Sequence, residues 1–407
     1  MADNKDKKVL NVPDKRVQND ACISSAERKK QVTTAQPKGN VPALRFPEFT
    51  EEWKEERLDE IAKLSKGVGI SKEQLSENGK PCILYGELYT RYKSEIIRKV
   101  ISKTNIESSN LKHSKRNDVI IPCSGETAID IAVARCIPFD NILLGGDLNV
   151  IRLHKGDGAF MAYQLNGKRK IDIAKLAQGV SVVHLYGENL KTIKTYNPCL
   201  QEQQKIVRLL SIIDERIATQ NKIIEKLETL IKGIIETVIS SQKPNTLIKN
   251  CLECNSSTLQ ESQVAETGTF PVYGATGISG YTETADINGE SILIIKDGSG
   301  VGTVKFVTGE YSYIGTLNSL TAKEGYCLKF ICFALQRFSF EPYKTGMAIP
   351  HIYFKDYGKA KIYCPSLSLQ ILIAQKLSLI ENKMEVEKRI ILCYQLQKSY
   401  LLSRMFI

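Results

Sequence analysis

The feature that most constrains this chain is a heptad helix beginning near Gln201 and running to about Ser240. Ile206, Leu210, Ile213, Ile217, Ile224, Leu227, Ile231, Ile234 and Val238 follow one another in steps of four and three, with Gln220 filling one polar position. That is the a/d pattern of a coiled coil. At 1.5 Å per residue such a helix extends roughly 50–60 Å, more than one small domain needs. Its apolar seam requires a partner, and the chain supplies one. Ile373, Leu377, Ile380, Met384, Ile391, Tyr394, Leu401 and Met405 repeat the pattern, each 167 residues after its counterpart. Glu387 stands at the place of Gln220, and Lys398 at that of Ile231. Lys398 either weakens the C-terminal end of the seam or marks a contact with a partner.

The repeat extends beyond the helices. Gly179, His184, Tyr186, Tyr196, Pro198 and Gln203 recur as Gly346, His351, Tyr353, Tyr363, Pro365 and Gln370 at the same offset. The chain therefore reads as globule, helix, globule, helix, an internal duplication. We divide it into a flexible basic tail (1–40), a first globule (41–199), a long helix (200–242), a second globule (243–366) and a second long helix (367–407). Each globule mixes short strands with short helices. Expected strands include 82–85, 118–122, 142–144 and 148–153 in the first globule, then 291–296 and 303–307 in the second. Expected helices are 58–64, 160–165, 171–176 and 326–335. Asp297-Gly298-Ser299-Gly300-Val301-Gly302 between two strands reads as a hairpin turn that needs glycine conformations. The fold class is α+β: two mixed α/β globules and an antiparallel two-helix coiled coil related by an internal pseudo-two-fold. Heptads alone do not choose between parallel and antiparallel; symmetry and chain tracing favour antiparallel.

A formal net charge of +11 and a pI near 9.0 favour nucleic acid or another polyanion as partner, against a basic surface that binds nothing. The rod then acts as a ruler, since DNA half-sites one turn apart are separated by roughly 34–36 Å. The tail is either solvated or grazes phosphates. The eleven cysteines are scattered, without a secretory signal before them, and are expected to be reduced thiols in a cytoplasmic protein. No window approaches the roughly 18 apolar residues of a membrane span.

Catalytic signatures are missing. No Lys-Ser or Lys-Thr follows the Gly298–Gly302 stretch, so it is not a phosphate-binding Walker loop. Cys251 and Cys254 form one Cys-x-x-Cys pair without a second pair at zinc spacing. His184 and His351 have no triad partners in sequence; they either pack where globule meets helix or touch phosphate. No Asn/Asp-Pro-Pro-aromatic tetrapeptide of the amino-methyltransferases is present. The rivals to a DNA-binding module are a degenerate methyltransferase or nuclease and a coiled-coil scaffold that binds proteins without reading DNA.

These residues resemble the specificity subunit of type I restriction–modification enzymes. Leu44-Arg45-Phe46-Pro47-Glu48-Phe49 with Trp53 looks like the family's entry to its first recognition domain. Phe270-Pro271-Val272-Tyr273-Gly274-Ala275-Thr276-Gly277, Gly280-Tyr281 and Lys296 to Gly302 are similar to the centre of its second. Pro198 to Ile206, with Glu202-Gln203, looks like the start of its conserved helix; the second copy departs, with Leu369-Gln370. The resemblance implies two target-recognition domains, each reading half of a bipartite asymmetric site in double-stranded DNA, and a spacer set by the helices. It implies no active site and no metal or cofactor in this chain. S-adenosylmethionine, ATP and Mg are expected only on partners: two modification (adenine methyltransferase) subunits, docked on the outer helix faces, and two ATP-dependent restriction subunits. Base readout favours Arg on guanine and Asn or Gln on adenine, whereas Lys and Ser mostly position the protein on phosphates. The candidate contacts are Tyr85, Glu87, Arg91, Ser124 and Arg135 in the first domain. In the second they are Tyr273, Thr276, Lys296, Ser299, Gly300 and Lys344. Each is equally a candidate fold support.

Overall fold

A computed structural model of the chain describes residues 39–106 and 110–407, so nearly all of the expected basic tail lies outside the described residues. The described residues form two compact units, one reaching to Gln204 and taking in Leu402–Ile407, and one of Lys205–Leu401. The last six residues thus belong with the first unit.

In the first unit, a four-stranded antiparallel sheet runs in the order Ala62–Lys66, Leu148–Leu153, Asp118–Pro122 and Arg135–Ile137. The run Asp118-Val119-Ile120-Ile121-Pro122 is buried throughout, as a central strand covered on both faces should be. Its one charge is neutralised: Arg152 donates to both Asp118 oxygens at 2.7 and 2.6 Å. Ile83, Leu88, Ile120, Leu148 and Val150 form a core between this sheet and a second one built around Lys80–Ile83. The expected helix 58–64 is only Leu58–Ile61; Ala62–Lys66 leaves it to pair with Leu148–Leu153. Tertiary pairing outweighs local helical preference there.

A second cluster in this unit is aromatic. Trp53 packs edge-on against Phe160 and Phe406, with ring centroids 5.7 and 6.3 Å away. The indole N–H of Trp53 donates to Glu202 Oε1 at 3.3 Å. Arg45 grips the same carboxylate with two bonds, Nε to Oε1 at 2.8 Å and Nη2 to Oε2 at 2.7 Å. Glu202 is 1% exposed and lies in the first turn of the helix Leu200–Ile235, where the helix dipole favours an anion. This contact holds the guanidinium pKa above its ordinary value. Gln203, next in sequence, donates to the Pro198 carbonyl at 2.9 Å and accepts from the Asp157 N–H at 2.8 Å.

In the second unit, six strands run in the order Leu252–Ser256, Leu317–Ala322, Ile287–Ile295, Val304–Tyr313, Phe270–Gly274 and Gly277–Thr282. The helix Leu328–Arg337 buries Phe330, Ile331, Cys332 and Phe333 against the sheet. The same core takes in Ile231, Ile235 and Ile239 from the first long helix and Ile373, Ala374 and Leu377 from the second, Leu367–Arg404. The globule and the end of the rod therefore share one hydrophobic core.

The two long helices are antiparallel. Lys398 Nζ reaches Asp214 Oδ1 at 2.6 Å, and Arg216 donates to the Tyr394 hydroxyl at 3.2 Å while lying 5.9 Å from its ring. Partners rise along one helix as they fall along the other. Lys398 is thus a seam residue paired across the rod, with both side chains largely buried (13% and 4% exposed). The seam positions Ile206, Leu210, Ile213, Ile231, Ile373, Leu377, Ile391 and Leu401 are buried; Ile217, Ile224, Leu227, Ile234, Ile380, Met384 and Tyr394 are half-buried. At the end of the first helix the pattern shifts by one residue. Ile235 and Ile239 are buried, whereas Val238 is exposed. A π turn at Glu236–Ser240, with its wider i→i+5 winding, carries the shift on to Ile239. Two further polar seam residues, Gln220 and Glu387, each keep one buried oxygen without a hydrogen-bond partner, Oε1 and Oε2 respectively.

The register shift sets an order of stability effects. Ile239→Ala should cost about 2–4 kcal/mol and Val238→Ala within about 0.5 kcal/mol, read by urea unfolding; the reverse order would restore the unshifted seam. Removing the buried carboxylate by Glu202→Ala should cost about 3–5 kcal/mol, because Arg45 then keeps an uncompensated charge. The Arg45→Ala, Glu202→Ala double variant should cost much less than the sum of the two.

Candidate nucleic-acid interface

The second domain offers the more open candidate site. Ile287–Ile295 and Val304–Tyr313 pair antiparallel, and the segment from Lys296 to Gly302 joins them as the expected glycine hairpin. Gly298, Gly300 and Gly302 all have left-handed φ, at +89°, +84° and +90°. At Gly302 a side chain is excluded twice over, since a Cβ would also stand 2.9 Å from Phe340 Cβ. The turn is tied down on its far side. Gly298 N–H donates to the Pro350 carbonyl at 3.0 Å, and Ile352 N–H to the Lys296 carbonyl at 3.0 Å. Ser299 and Gly300 remain exposed at its tip, and Lys296 is half-exposed.

Lys344 stands beside this turn on a cleft of about 460 Å³ lined by Val301, Gly302, Phe338 and Phe340, and is paired with Glu341. The structure therefore brings Lys296, Ser299, Gly300 and Lys344 into one neighbourhood. Thr276 is exposed in the turn of a different hairpin, between Phe270–Gly274 and Gly277–Thr282. Tyr273, close to that turn on the first strand of the hairpin, packs edge-on to Tyr311 at 5.5 Å and carries Lys305 Nζ 4.8 Å above its ring. Lys305 was not among the expected contacts. Its signal was its place in the strand returning from the glycine turn, but facing Tyr273 depends on strand pairing that the sequence does not state.

The first domain divides its candidates differently. Glu87 is buried and accepts from Leu84 N–H at 3.0 Å, from Arg91 Nη1 at 2.9 Å and from the Ser102 hydroxyl. Arg135 is buried as well, donating to the carbonyls of Leu88, Ala134 and Tyr92 at 3.2, 3.2 and 2.9 Å. These two hold the segment 84–92 in shape, so their polar atoms face protein and not a groove. Ser124 is buried and donates to Asp147 Oδ2 at 3.2 Å. Arg91 keeps about half of its side chain in water (51%), and Tyr85 is half-buried against the core. Only these two of the five present surface to a ligand.

The ten described cysteines are free thiols. Burial pushes several of them up: Cys82 and Cys254 to about 11, and Cys136 and Cys332 to about 12. They stay protonated and chemically quiet near neutral pH. Among the described residues no group of His, Cys, Asp and Glu could hold a metal ion, and no helix is long and apolar enough to cross a membrane.

Comparison with known proteins fits this architecture. The model of the type I restriction modification DNA specificity domain matches twice, at residues 50–229 and 250–392. The specificity subunit of the type I restriction enzyme MjaVIII from Methanocaldococcus jannaschii is 25% identical over 203 residues, 48% of this chain and 43% of that protein. The match thus spans less than half the length of that relative. Among solved structures, the S subunit of a type I restriction-modification system from M. genitalium is similar with a TM-score of 0.64 at 19% identity, over 90% of this chain and 99% of that one. A chain from a study of complex assembly and conformational transition in the type I system gives 0.51 at 14% identity, over 87% and 97%. At those identities the structures speak for the fold. With two copies of the domain matched along most of its length, the chain belongs to the type I restriction–modification DNA specificity family.

Proposed function

We propose that this chain is the DNA-reading subunit of a type I restriction–modification complex, each domain recognising one half of a bipartite, asymmetric site in double-stranded DNA. The observation that carries the reading is the duplicated specificity domain, matched at residues 50–229 and again at 250–392. In the second domain the exposed turn of Lys296, Ser299 and Gly300, flanked by Lys344, offers the contacts, with Thr276 and the Lys305–Tyr273 pair nearby in the same domain. In the first, Arg91 and Tyr85 face outward, while Glu87, Ser124 and Arg135 shape the segments that carry them. The rod sets the spacer between the two half-sites. The chain works in the cytoplasm and performs no catalysis itself. Methyl transfer with S-adenosylmethionine, and ATP- and Mg-dependent translocation and cleavage, belong to two modification and two restriction subunits.

The docking face for the modification subunits is on the rod. Leu372, Leu379, Val386, Cys393 and Tyr400 recur every seven residues along the second long helix, and all are exposed. This second apolar stripe lies off the seam, which the first helix already covers. A stripe at heptad spacing suits a helix of a partner, laid along it as a third strand.

The primary experiment maps adenine methylation by single-molecule sequencing in cells that carry a compatible modification subunit, with and without this chain. A split asymmetric motif dependent on the chain is the expected result. An assembled complex without any chain-dependent motif would overturn the reading in favour of a scaffold. For the docking face, Leu379→Asp should leave unfolding stability within about 0.5 kcal/mol, since Leu379 is 63% exposed. It should weaken capture of the modification subunit about tenfold or more in a pull-down titration.

A further inference from the structure

Two side chains have no role in the fold as it stands. Among the described residues, Val180 and Met347 are the most exposed of the large hydrophobics, at 99% and 105% of the reference accessibility; the next, Leu379, is at 63%. They occupy the same place in the two domains, 167 residues apart.

Each sits near the tip of a short hairpin built in the same way. In the first domain Gln178 and His184 exchange backbone bonds of 2.9 and 2.7 Å, closing the turn 178–184. In the second Thr345 and His351 do the same at 2.9 and 2.8 Å, closing 345–351. Gly179 and Gly346 open the two turns with φ of +125° and +87°, and a Cβ on either would collide with a carbonyl, of Val182 at 2.1 Å and of Ile349 at 2.4 Å. The turns are therefore fixed in shape, and their apolar tips are held out in water.

Each turn also rests on a candidate recognition segment of its own domain. Val183 and His184 pair with Gly125 and Ser124, and Leu185 N–H donates to the Cys123 carbonyl at 2.7 Å. His351 bridges to Asp297, and Pro350 and Ile352 bond the glycine turn as described above. At the base of each turn a half-exposed tyrosine carries a lysine over its ring: Lys66 at 6.0 Å from Tyr186, and Lys355 at 5.2 Å from Tyr353. An apolar tip on a rigid hairpin, with a cation at its base, matches duplex DNA. The cation meets a phosphate, and the aliphatic side chain seats against a thymine methyl or wedges at a base step.

We infer that Val180 and Met347 are paired apolar probes of DNA, one for each half-site, inserted against the base stack by the two hairpins. The inference rests on the DNA-reading function proposed above. It is tested in the complex assembled with modification subunits, on a duplex carrying the methylation motif mapped for the wild type. Met347→Ala should lower affinity for that duplex about tenfold or more. Nonspecific binding and the slope of affinity against salt should be unchanged, because no phosphate contact is lost. Val180→Ala should do the same, and each variant should relax the methylated motif in one half only. Both positions are exposed, so folding is not at stake. Variants that bind and methylate as the wild type does would overturn the inference. So would variants that fail to assemble with the modification subunit, which would give the tips to a protein partner. A wild-type complex without preference for any motif would instead sink the functional reading, and this inference with it.

Discussion

An apolar seam running the length of a long helix cannot be left in water, and most of this chain can be understood as the consequence of covering it. The cover comes from a second helix of the same chain, antiparallel to the first. Neither helix would be stable alone, since most helical stability in proteins comes from packing an apolar face and not from propensity. At one end the seam does not stop but runs into the core of the second globule, where Ile235, Ile239, Ile373 and Leu377 pack with Ile292 to Ile295 and Phe330 to Phe333. That shared core makes the globule and the rod a single cooperative body. The polar seam residues have a different use. Lys398 with Asp214, and the unsatisfied oxygens of Gln220 and Glu387, oppose other registers, because a slip of one heptad would set them against apolar side chains.

The duplication reuses small devices as well as whole domains. Gln203 donates to the carbonyl of Pro198, five residues back, and accepts a backbone N–H from its globule; Gln370 does the same with Pro365 at 2.8 Å and Cys327 N–H at 3.0 Å. Each bond pair ties the first turn of a long helix to its globule. The neighbouring position shows how the copies diverge. Glu202 is buried under Arg45 and Trp53, whereas Leu369, its counterpart, is exposed. Once no cation has to be met, a leucine suffices there.

Much of this was legible in the sequence because the signals are periodic. The seam, its repetition at 167 residues, the strands Asp118–Pro122 and Leu148–Leu153 and the glycine turn after Ile295 all follow from spacing and from residues with restricted or unusual backbone freedom. What was not legible depends on distant partners. The π turn at Glu236–Ser240 leaves no mark in a heptad count, so Val238 read as seam and Ile239 did not. Glu87 and Arg135 have the chemistry of base readers, and only the positions of Ser102, Leu88 and Tyr92 reveal that their bonds are already made. Polar residue type suggests a site; burial, which arises from tertiary structure, decides it.

The aromatic cluster of the first unit has a consequence for how the protein is made. Phe406 packs on Phe160 at 5.3 Å and on Trp53, a residue 353 positions earlier in the chain. The first domain therefore emerges from the ribosome lacking part of its own core. At roughly 5–20 residues per second, it waits tens of seconds for that piece to be synthesised. During that interval the groove around Trp53 is open to any apolar segment, so synthesis itself imposes a window in which chaperone cover matters most for the domain made first.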